Sequence, residues 1–267
     1  MDYNNKVFFV TGAGNGMGRE VSLYLLKRNA KVIGIDLSIN GLEETGRLAG
    51  ERQSNLFKYV LDIVDKNSVE QLCQEVIEKH KIIDGVFNIA GIIQPFEKLN
   101  ELSYEAIERV VNVNFYGTVN VIKSFLPYLL KNKTKTLLVN VSSMGGFLPV
   151  PGQSVYGASK AGVKLLTESL YAELKNTNVQ VNLVLPGAVA TNIMQNSGVE
   201  LSQTSIPNKK QTILSPQKAC EIIMKGVERN KLYILVGKDS KFMHFLYKFF
   251  PKYTINLVAK NMEYLLK

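Results

Sequence analysis

The chain has 267 residues, 46% of them hydrophobic and 21% charged, which is the composition of a globular protein with a well-buried core. Two cysteines, Cys73 and Cys220, are too few for a disulfide framework, and no stretch reads as a targeting segment or a membrane span. The net charge of +9 would suit nucleic acid or an anionic membrane, but most basic residues alternate with acids. We therefore expect a cytoplasmic protein without a nucleic-acid partner.

The chain begins with an apolar strand at residues 7–10, a glycine-rich turn at residues 11–18 and a helical pattern that includes Val21 and Leu25. This order is typical of dinucleotide binding, because glycines let the backbone approach a pyrophosphate at the helix N-terminus. Glycines also make ordinary turns, so the glycine cluster alone is weak evidence of dinucleotide binding. The candidate cofactor residues of the turn are Gly12, Asn15, Gly16, Met17 and Gly18.

The second strand, residues 31–35, ends at Asp36, 18 residues beyond Gly18. An acidic residue at this place accepts hydrogen bonds from the ribose hydroxyls of the adenosine half and repels a 2′-phosphate. Neither Asn15 nor Leu37 supplies a cation that would bind such a phosphate. Asp36 could instead cap the next helix, but its place at the end of a strand favours ribose binding. Asp36 and Leu37 therefore indicate NAD as the cofactor in preference to NADP.

Strands alternate with helices along the rest of the chain, which predicts the α/β class. The expected fold is a single-domain, doubly wound parallel sheet of about seven strands, with ligands at the carboxyl ends of the strands. The dinucleotide-binding and catalytic part spans residues 1–237, and a polar loop at 190–214 is long enough to be a lid. Further strands are predicted at residues 56–61, 86–90, 136–141, 179–185 and 232–236, and helices at 41–52, 66–79, 103–131, 153–175 and 215–229.

Tyr156 and Lys160 lie four residues apart within the helix predicted at 153–175. About one helical turn separates them, so both side chains project from the same face. A cation at that distance favours the phenolate and should lower the pKa of the tyrosine. Such a tyrosine exchanges a proton with an oxygen at neutral pH. Taken alone, the pair could also be an ordinary exposed helix pair.

Together these motifs resemble those of the short-chain dehydrogenase/reductase family, over about residues 5–236. The motifs have the order and spacing of the family, which a glycine turn alone would not produce. Ile89 departs from the family, which most often has a second asparagine there, but Asn88 is retained. The residues that carry the resemblance are Thr11, Gly12, Gly16, Gly18, Asp62, Asn88, Ala90, Gly91, Asn114, Ser143, Tyr156, Lys160, Pro186, Gly187 and Thr191.

The resemblance implies a Rossmann-like oxidoreductase in which Tyr156 is the general acid and base and Lys160 lowers its pKa and binds the nicotinamide ribose. Ser143 would hydrogen-bond the substrate oxygen, and Asn114 would help to hold a water chain that reaches Lys160. A homodimer or homotetramer is expected. The implied cofactor residues, besides Tyr156 and Lys160, are Asp62 at the adenine, Thr191 at the nicotinamide carboxamide or pyrophosphate, and Ile63, Asn88, Ala90, Gly91, Pro186, Gly187 and Val189.

Two functions stay open. The favoured one is hydride transfer between NAD and a secondary alcohol or ketone, because the four catalytic candidates are all present. The alternative is an NAD-binding sensor or scaffold without significant turnover, which the loss of Tyr156 or Lys160 would have indicated. The expected substrate walls are largely apolar and favour a lipid, steroid-like or aromatic compound. These wall residues are Ile93, Phe96, Met144, Phe147, Leu148, Val150 and Met194.

Residues 238–267 form a C-terminal extension with six lysines against Asp239 and Glu263. Its apolar residues recur at helical spacing, which predicts two amphipathic helices on either side of Pro251. Their apolar faces could cover the substrate cleft, pair with another subunit or lie on an anionic membrane. Packing onto protein is the default, and peripheral membrane contact is less favoured. The two stripes are Phe242, Phe245, Leu246 and Phe249, then Ile255, Val258, Ala259, Met262 and Leu266.

Overall fold

A computed structural model describes residues 2–199 and 213–262 of the chain. Its strands are β1 (Val7–Thr11), β2 (Lys31–Asp36), β3 (Leu56–Val60), β4 (Gly85–Asn88), β5 (Thr136–Val141), β6 (Val179–Pro186) and β7 (Tyr233–Val236). They form one sheet in the order β3-β2-β1-β4-β5-β6-β7, and neighbouring strands run parallel. The direction of winding reverses between β1 and β4, which is where ligands bind in sheets of this kind. The predicted fold class is confirmed.

Helices cover both faces of the sheet and enclose two apolar cores. One core joins β1 and β5 to Val21 and Leu25 of the first helix and to Ile223 of the eighth. The other joins the same sheet to Val76 of the third helix and Phe125 of the fifth. The helices are α1 (Gly16–Leu26), α2 (Ile39–Ala49), α3 (Lys66–His80), α4 (Tyr104–Val111), α5 (Thr118–Lys131), α6 (Ser154–Glu173), α7 (Ile193–Ser197), α8 (Pro216–Glu228), α9 (Lys238–Phe249) and α10 (Pro251–Met262).

The prediction of a single helix at residues 103–131 is wrong in one respect, because a π-helical turn interrupts the helix. The turn spans Asn112–Gly117 and separates α4 from α5. The Asn114 carbonyl accepts a hydrogen bond from the Thr118 hydroxyl at 2.8 Å, and the Asn114 side chain is completely buried. A π turn adds one residue to a helical turn and often marks a functional site. Apolar periodicity is too coarse to reveal one extra residue.

The remaining boundaries differ from the predictions by a few residues. The helix predicted at 41–52 begins at Ile39 and ends at Ala49, and a 3-10 turn over Gly50–Asn55 follows it. Within the predicted lid at 190–214, α7 is helical and Leu214 pairs with Val189. Residues 200–212 lie outside the described part of the chain, so the lid prediction stays untested.

The tail forms the two predicted helices, α9 and α10. Ser240 is fully buried in α9 and donates a hydrogen bond to the Leu185 carbonyl of β6 at 2.8 Å. Thr254 and Val258 are the buried residues of α10. Leu266 of the second predicted stripe lies outside the described residues. None of the helices in the two described segments is both long enough and apolar enough to cross a membrane.

Candidate active site

A groove of about 690 Å³ opens where β1, β2 and β4 end, beside the first turn of α1. It is lined by most of the residues that were predicted to bind a cofactor. It is also lined by Arg109, Asn112 and Asn196, which are not among the predicted site residues. The predicted residues in its walls are Gly12, Asn15, Gly16, Met17, Gly18, Asp36, Leu37, Asp62, Ile63, Ala90, Gly91 and Thr191.

The glycine turn gives this groove a floor of bare backbone. Gly12 and Gly16 have φ angles of 71° and 51°, a left-handed conformation that glycine adopts readily. A Cβ on Gly18 would overlap the Gly12 carbonyl oxygen, so only glycine lets α1 start against the turn. Asn15 caps α1, and its side-chain oxygen accepts from the Gly16 N–H at 2.7 Å. A backbone cradle at a helix N-terminus fits an anionic pyrophosphate.

Asp36 forms part of the groove wall and is held there by two backbone donors. One carboxylate oxygen accepts from the Gly14 N–H at 2.9 Å and the other from the Ser38 N–H at 3.0 Å. The alternative in which Asp36 caps the next helix is wrong, because Ser38 caps α2 by accepting from the Gly41 N–H. Leu37 is 67% exposed beside it. The carboxylate is therefore fixed in place before any ligand arrives.

Arg19 is a cation in the same groove that sequence reasoning missed. Its Nε donates to the Thr45 hydroxyl at 3.1 Å, and its guanidinium also donates to the carbonyls of Gly14 and Gly41. These bonds tie the glycine turn to α2. The available signal was its position, one residue after Gly18 on the first turn of α1. The guanidinium is committed to backbone carbonyls, so its charge stabilises the turn.

The catalytic candidates Lys160 and Asn114 lie beside Gly91, which lines the groove. A Cβ on Gly91 would lie 2.9 Å from Lys160 Nζ and 3.0 Å from Asn114 Oδ1. Lys160 is only 3% exposed, and its ammonium donates to the Val141 carbonyl at 3.2 Å. Burial lowers the pKa of this lysine to about 8. None of the ion pairs among the described residues includes Lys160, so its charge is not neutralised by a carboxylate there.

Asn114 joins three parts of the site through its side-chain amide. Its oxygen accepts from the Ile92 N–H at 2.9 Å, and its nitrogen donates to the Ile92 carbonyl at 2.9 Å. The same nitrogen donates to the Ser159 hydroxyl of α6 at 3.0 Å. The π turn that carries Asn114 is thereby fixed to the edge of the groove and to the helix of Tyr156. Its place in a water chain stays a prediction.

Tyr156 and Ser143 lie around Gly145. A Cβ on Gly145 would lie 3.2 Å from Tyr156 Cε1 and 3.5 Å from Ser143 Oγ. Burial raises the pKa of the Tyr156 phenol, and a hydrogen bond with the Ser143 hydroxyl acts in the opposite direction. The Lys160 ammonium donates to the Val141 carbonyl in this structure, and the expectation that it lowers the pKa of Tyr156 stays a prediction.

Gln94 positions the backbone of Tyr156, and sequence reasoning missed it. The N-cap residue of α6, Gln153, makes no side-chain capping bond. Gln94 is fully buried, and its side-chain oxygen accepts from the N–H groups of Val155 at 2.8 Å and Tyr156 at 2.9 Å. Its nitrogen donates to the Gly152 carbonyl at 2.9 Å. A glutamine 62 residues before Tyr156 carries no local signal of this role.

Six of the implied cofactor residues, including Tyr156 and Lys160, do not line the groove. Asn88 lies at the end of β4 and donates to the buried Asn140 side chain at 2.8 Å. Pro186 is the last residue of β6, and the Gly187 N–H donates to the Val236 carbonyl at 2.8 Å. Val189 pairs with Leu214. Asn88 and Pro186 thus end strands, and contact of all six residues with a cofactor stays a prediction.

A second cavity of about 620 Å³ lies between the loop after β5, α6 and the tail. Phe147 and Val150, two of the expected substrate walls, line it. The Phe147 ring packs edge-on against His244 of α9 with 5.0 Å between ring centroids. The tail therefore covers one side of this loop. The further lining residues are Gly145, Gly146, Pro149, Pro151, Gln153, Ser154, Gly157, Ala161, Lys164, Tyr247, Ile255 and Ala259.

Comparison with known proteins places this arrangement in a family. A family model described as short chain dehydrogenase matches residues 6–201. The chain is 31% identical over 267 residues to SadH of Mycobacterium tuberculosis, a match that covers 97% of this chain and 96% of SadH. It is 32% identical over 206 residues to the 3-oxoacyl-acyl-carrier-protein reductase FabG of Thermotoga maritima, covering 77% of this chain and 83% of FabG.

Solved structures show the same fold. A short-chain dehydrogenase/reductase of Burkholderia phymatum in complex with NAD has a TM-score of 0.82 at 24% identity, covering 93% of this chain and 96% of that one. A short-chain dehydrogenase of Sphingobium yanoikuyae in complex with NADPH has a TM-score of 0.75 at 23% identity, covering 86% and 87% of the two chains. The shared fold accommodates both cofactors.

Proposed function

Since this chain belongs to the short-chain dehydrogenase family, we propose that it is an oxidoreductase that transfers a hydride between NAD and a secondary alcohol or ketone. NAD, when bound, would carry the hydride, while the protein supplies position and proton transfer. The observation that carries the proposal is the junction at Gly91. There the Lys160 ammonium and the Asn114 amide reach a groove with a backbone floor suited to a pyrophosphate.

The four catalytic candidates have complementary tasks in this reaction. Tyr156 would give its hydroxyl proton to the carbonyl oxygen of a ketone, or take the proton of an alcohol in the reverse direction. Ser143, within reach of that phenol, would hydrogen-bond the same oxygen as charge develops on it. Lys160 would keep an unneutralised positive charge at the junction, and Asn114 would fix the edge of the groove against α6.

The preference for NAD rests on Asp36. Its carboxylate is fixed in the groove wall by the Gly14 and Ser38 N–H groups, and each oxygen keeps a lone pair that a ribose hydroxyl can use. A 2′-phosphate beside it would be repelled. Arg19 is bonded to backbone carbonyls and to Thr45, so it would have to leave these bonds to bind a phosphate. Both observations support NAD over NADP.

The substrate is proposed to be a hydrophobic ketone or alcohol, such as a lipid, steroid-like or aromatic compound. The second cavity supports this, because its lining is mostly apolar and its lysine, Lys164, is paired with Glu168 at 2.7 Å. The name of the Thermotoga maritima relative specifies reduction of a 3-oxoacyl group, which is a ketone. We also propose a homodimer or homotetramer in the cytoplasm, with residues 238–267 as an extension of the catalytic domain at 1–237.

The test is a screen of purified protein for NAD reduction by a panel of secondary alcohols and for NADH oxidation by the matching ketones. Tyr156→Phe is the informative variant, because it removes the hydroxyl and keeps the ring. We expect it to lower turnover at least about a hundredfold while NAD still binds. Because burial raises the pKa of Tyr156, wild-type alcohol oxidation should also become faster as the pH rises.

Two results would contradict the proposal. Near-normal turnover by Tyr156→Phe would remove the tyrosine from its proposed role. Tight NAD binding without turnover of any alcohol or ketone in the panel would favour a binding protein over an enzyme. Tyr104→Phe is the matched control, since Tyr104 is 79% exposed at the start of α4 and lines neither cavity.

A further inference from the structure

The tail presents five large aromatic side chains to solvent within twelve residues. Phe242, Phe245 and Phe249 of α9 are 60%, 60% and 57% exposed. Their spacing of three and four residues places them on one side of the helix, and the rings of Phe245 and Phe249 are 5.0 Å apart. Phe250 and Tyr253, where α10 begins, are 56% and 62% exposed. These five residues are called the aromatic face below.

The aromatic face is not needed to hold the tail on the protein. The other side of α9 does that, through buried Ser240 and through His244 and Tyr247, which both contact the Phe147 ring. Single exposed apolar residues are common on protein surfaces, but contiguous groups of them mark contact sites. The face therefore calls for an occupant outside the described chain.

The charge around the aromatic face is strongly positive. In the described part of the tail, the lysines of α9 and α10 are accompanied by one carboxylate, that of Asp239. It accepts a hydrogen bond from the Ala188 N–H at 2.7 Å. The Lys248 ammonium lies 5.7 Å from the centre of the Phe249 ring, so charge and aromatic surface are directly adjacent. The exposed lysines of α9 and α10 are Lys238, Lys241, Lys248, Lys252 and Lys260.

We propose that the aromatic face docks the protein on the surface of an anionic phospholipid bilayer. Aromatic rings are stable at the level of the lipid headgroups, and lysines beside them are attracted to anionic lipid. A second copy of the chain fits less well. A two-fold contact would set the same lysines against each other, and like charges facing across an interface are costly.

This proposal stands independently of the reaction assigned above. Tyr247 lies in the wall of the second cavity and on the side of α9 opposite the aromatic face, so docking would leave that cavity about one helix diameter from the lipid.

The experiment is flotation of the full chain with phospholipid vesicles. Vesicles of equimolar phosphatidylcholine and phosphatidylglycerol should bind the protein at low salt, pure phosphatidylcholine should bind it weakly, and molar salt should release it. The triple variant F242S, F245S and F249S should bind at least about tenfold more weakly. The double variant K248Q and K252Q should bind roughly 30-fold more weakly, at about fivefold for each lysine.

Matched controls distinguish binding through the aromatic face from non-specific binding to vesicles. Leu165→Ser removes a 64% exposed apolar side chain from α6, and K66Q with K175Q removes two exposed lysines away from the tail. Both controls should float like the wild type. Equal binding of the wild type to neutral and anionic vesicles, or wild-type binding by both tail variants, would overturn the proposal. Loss of a dimer in the triple variant, with no vesicle binding by the wild type, would assign the face to a second copy instead.

Discussion

Replacing Lys160 by methionine should abolish turnover and yet stabilise the fold at neutral pH. The lysine is 3% exposed inside α6, and the acceptor of its ammonium is the Val141 carbonyl at 3.2 Å. Methionine keeps the length of the apolar stem and removes the charge. The catalytic loss and the stability gain have the same origin, because the site keeps a buried cation that forms no ion pair with a carboxylate of the described residues.

The size of the gain follows from the pKa. Burial lowers the pKa of Lys160 from 10.5 to about 8, which corresponds to about 3 kcal/mol of unfavourable free energy for the charged form. Loss of this charged hydrogen bond to Val141 offsets about 1.5–3 kcal/mol of this. We therefore expect Lys160→Met to raise the free energy of unfolding by up to about 1.5 kcal/mol near pH 7.

The sign of the pH dependence is fixed by the direction of the shift. Between the folded pKa of about 8 and the unfolded value of 10.5, the unfolded chain binds more protons, so wild-type stability rises with pH in that window. Below the folded pKa, the full free-energy cost of burying the charged lysine is present. The advantage of Lys160→Met should therefore be largest near neutral pH and disappear by about pH 10.5.

Urea unfolding of the wild type and of Lys160→Met, at pH 7 and at about pH 10.5, measures the difference in their free energies of unfolding. Lys164→Met is the matched control one turn further along α6, where the ammonium is paired with Glu168 at 2.7 Å, and it should gain no stability at pH 7. If Lys160→Met were less stable than the wild type at pH 7, the buried charge would not be the dominant effect. An advantage that stayed constant between the two pH values would refute the linkage.

Two further predictions test the groove and the catalytic helix. Asp36→Ala with Leu37→Arg should shift the ratio of kcat/KM values from NAD toward NADP, because charged hydrogen bonds contribute about 1.5–3 kcal/mol and so a factor of about ten or more. A wild type that already prefers NADP would contradict the placement of Asp36 at the ribose. Gln94→Met should lower kcat with little change in the affinity for NAD and cost about 2 kcal/mol of stability, because two partly buried N–H groups lose their acceptor. Gln94→Glu keeps that acceptor and should recover kcat, but it buries a carboxylate and loses the donor to the Gly152 carbonyl, so it should not recover the stability. A wild-type kcat in Gln94→Met would contradict the positioning role.

Local features of the sequence predicted most of the residues that line the groove. The strand, glycine turn and helix that carry Gly12 and Gly18 are contiguous in the chain, and Asp36 ends the next strand. Parallel strands bring their carboxyl ends to one edge of the sheet, so these residues had to meet once the strands were identified. The groove lined by Gly12, Gly18 and Asp36 is the result.

Features that depend on contacts between distant segments were not predictable. Gln94 reaches Tyr156 across 62 residues, and the π turn at Asn114 differs from an α-helix by one residue per turn. The part of the aromatic face on α9 is a similar case. Amphipathic spacing shows which residues share one side of a helix, but not whether that side faces the protein or the solvent. Phe242 points to solvent while His244, two residues later, packs onto Phe147.

The pKa of Tyr156 depends on burial, which spacing alone does not show. Four residues along a helix place a tyrosine and a lysine on one face, but the spacing does not say how far each group is removed from water. Here the Val141 carbonyl accepts from Lys160, and burial acts on the two groups in opposite senses. It keeps the phenol protonated at neutral pH and makes the ammonium easier to deprotonate. A protonated phenol is the form that would donate to a carbonyl oxygen in the ketone reduction proposed above, and the proposed alcohol oxidation should become faster as the pH rises.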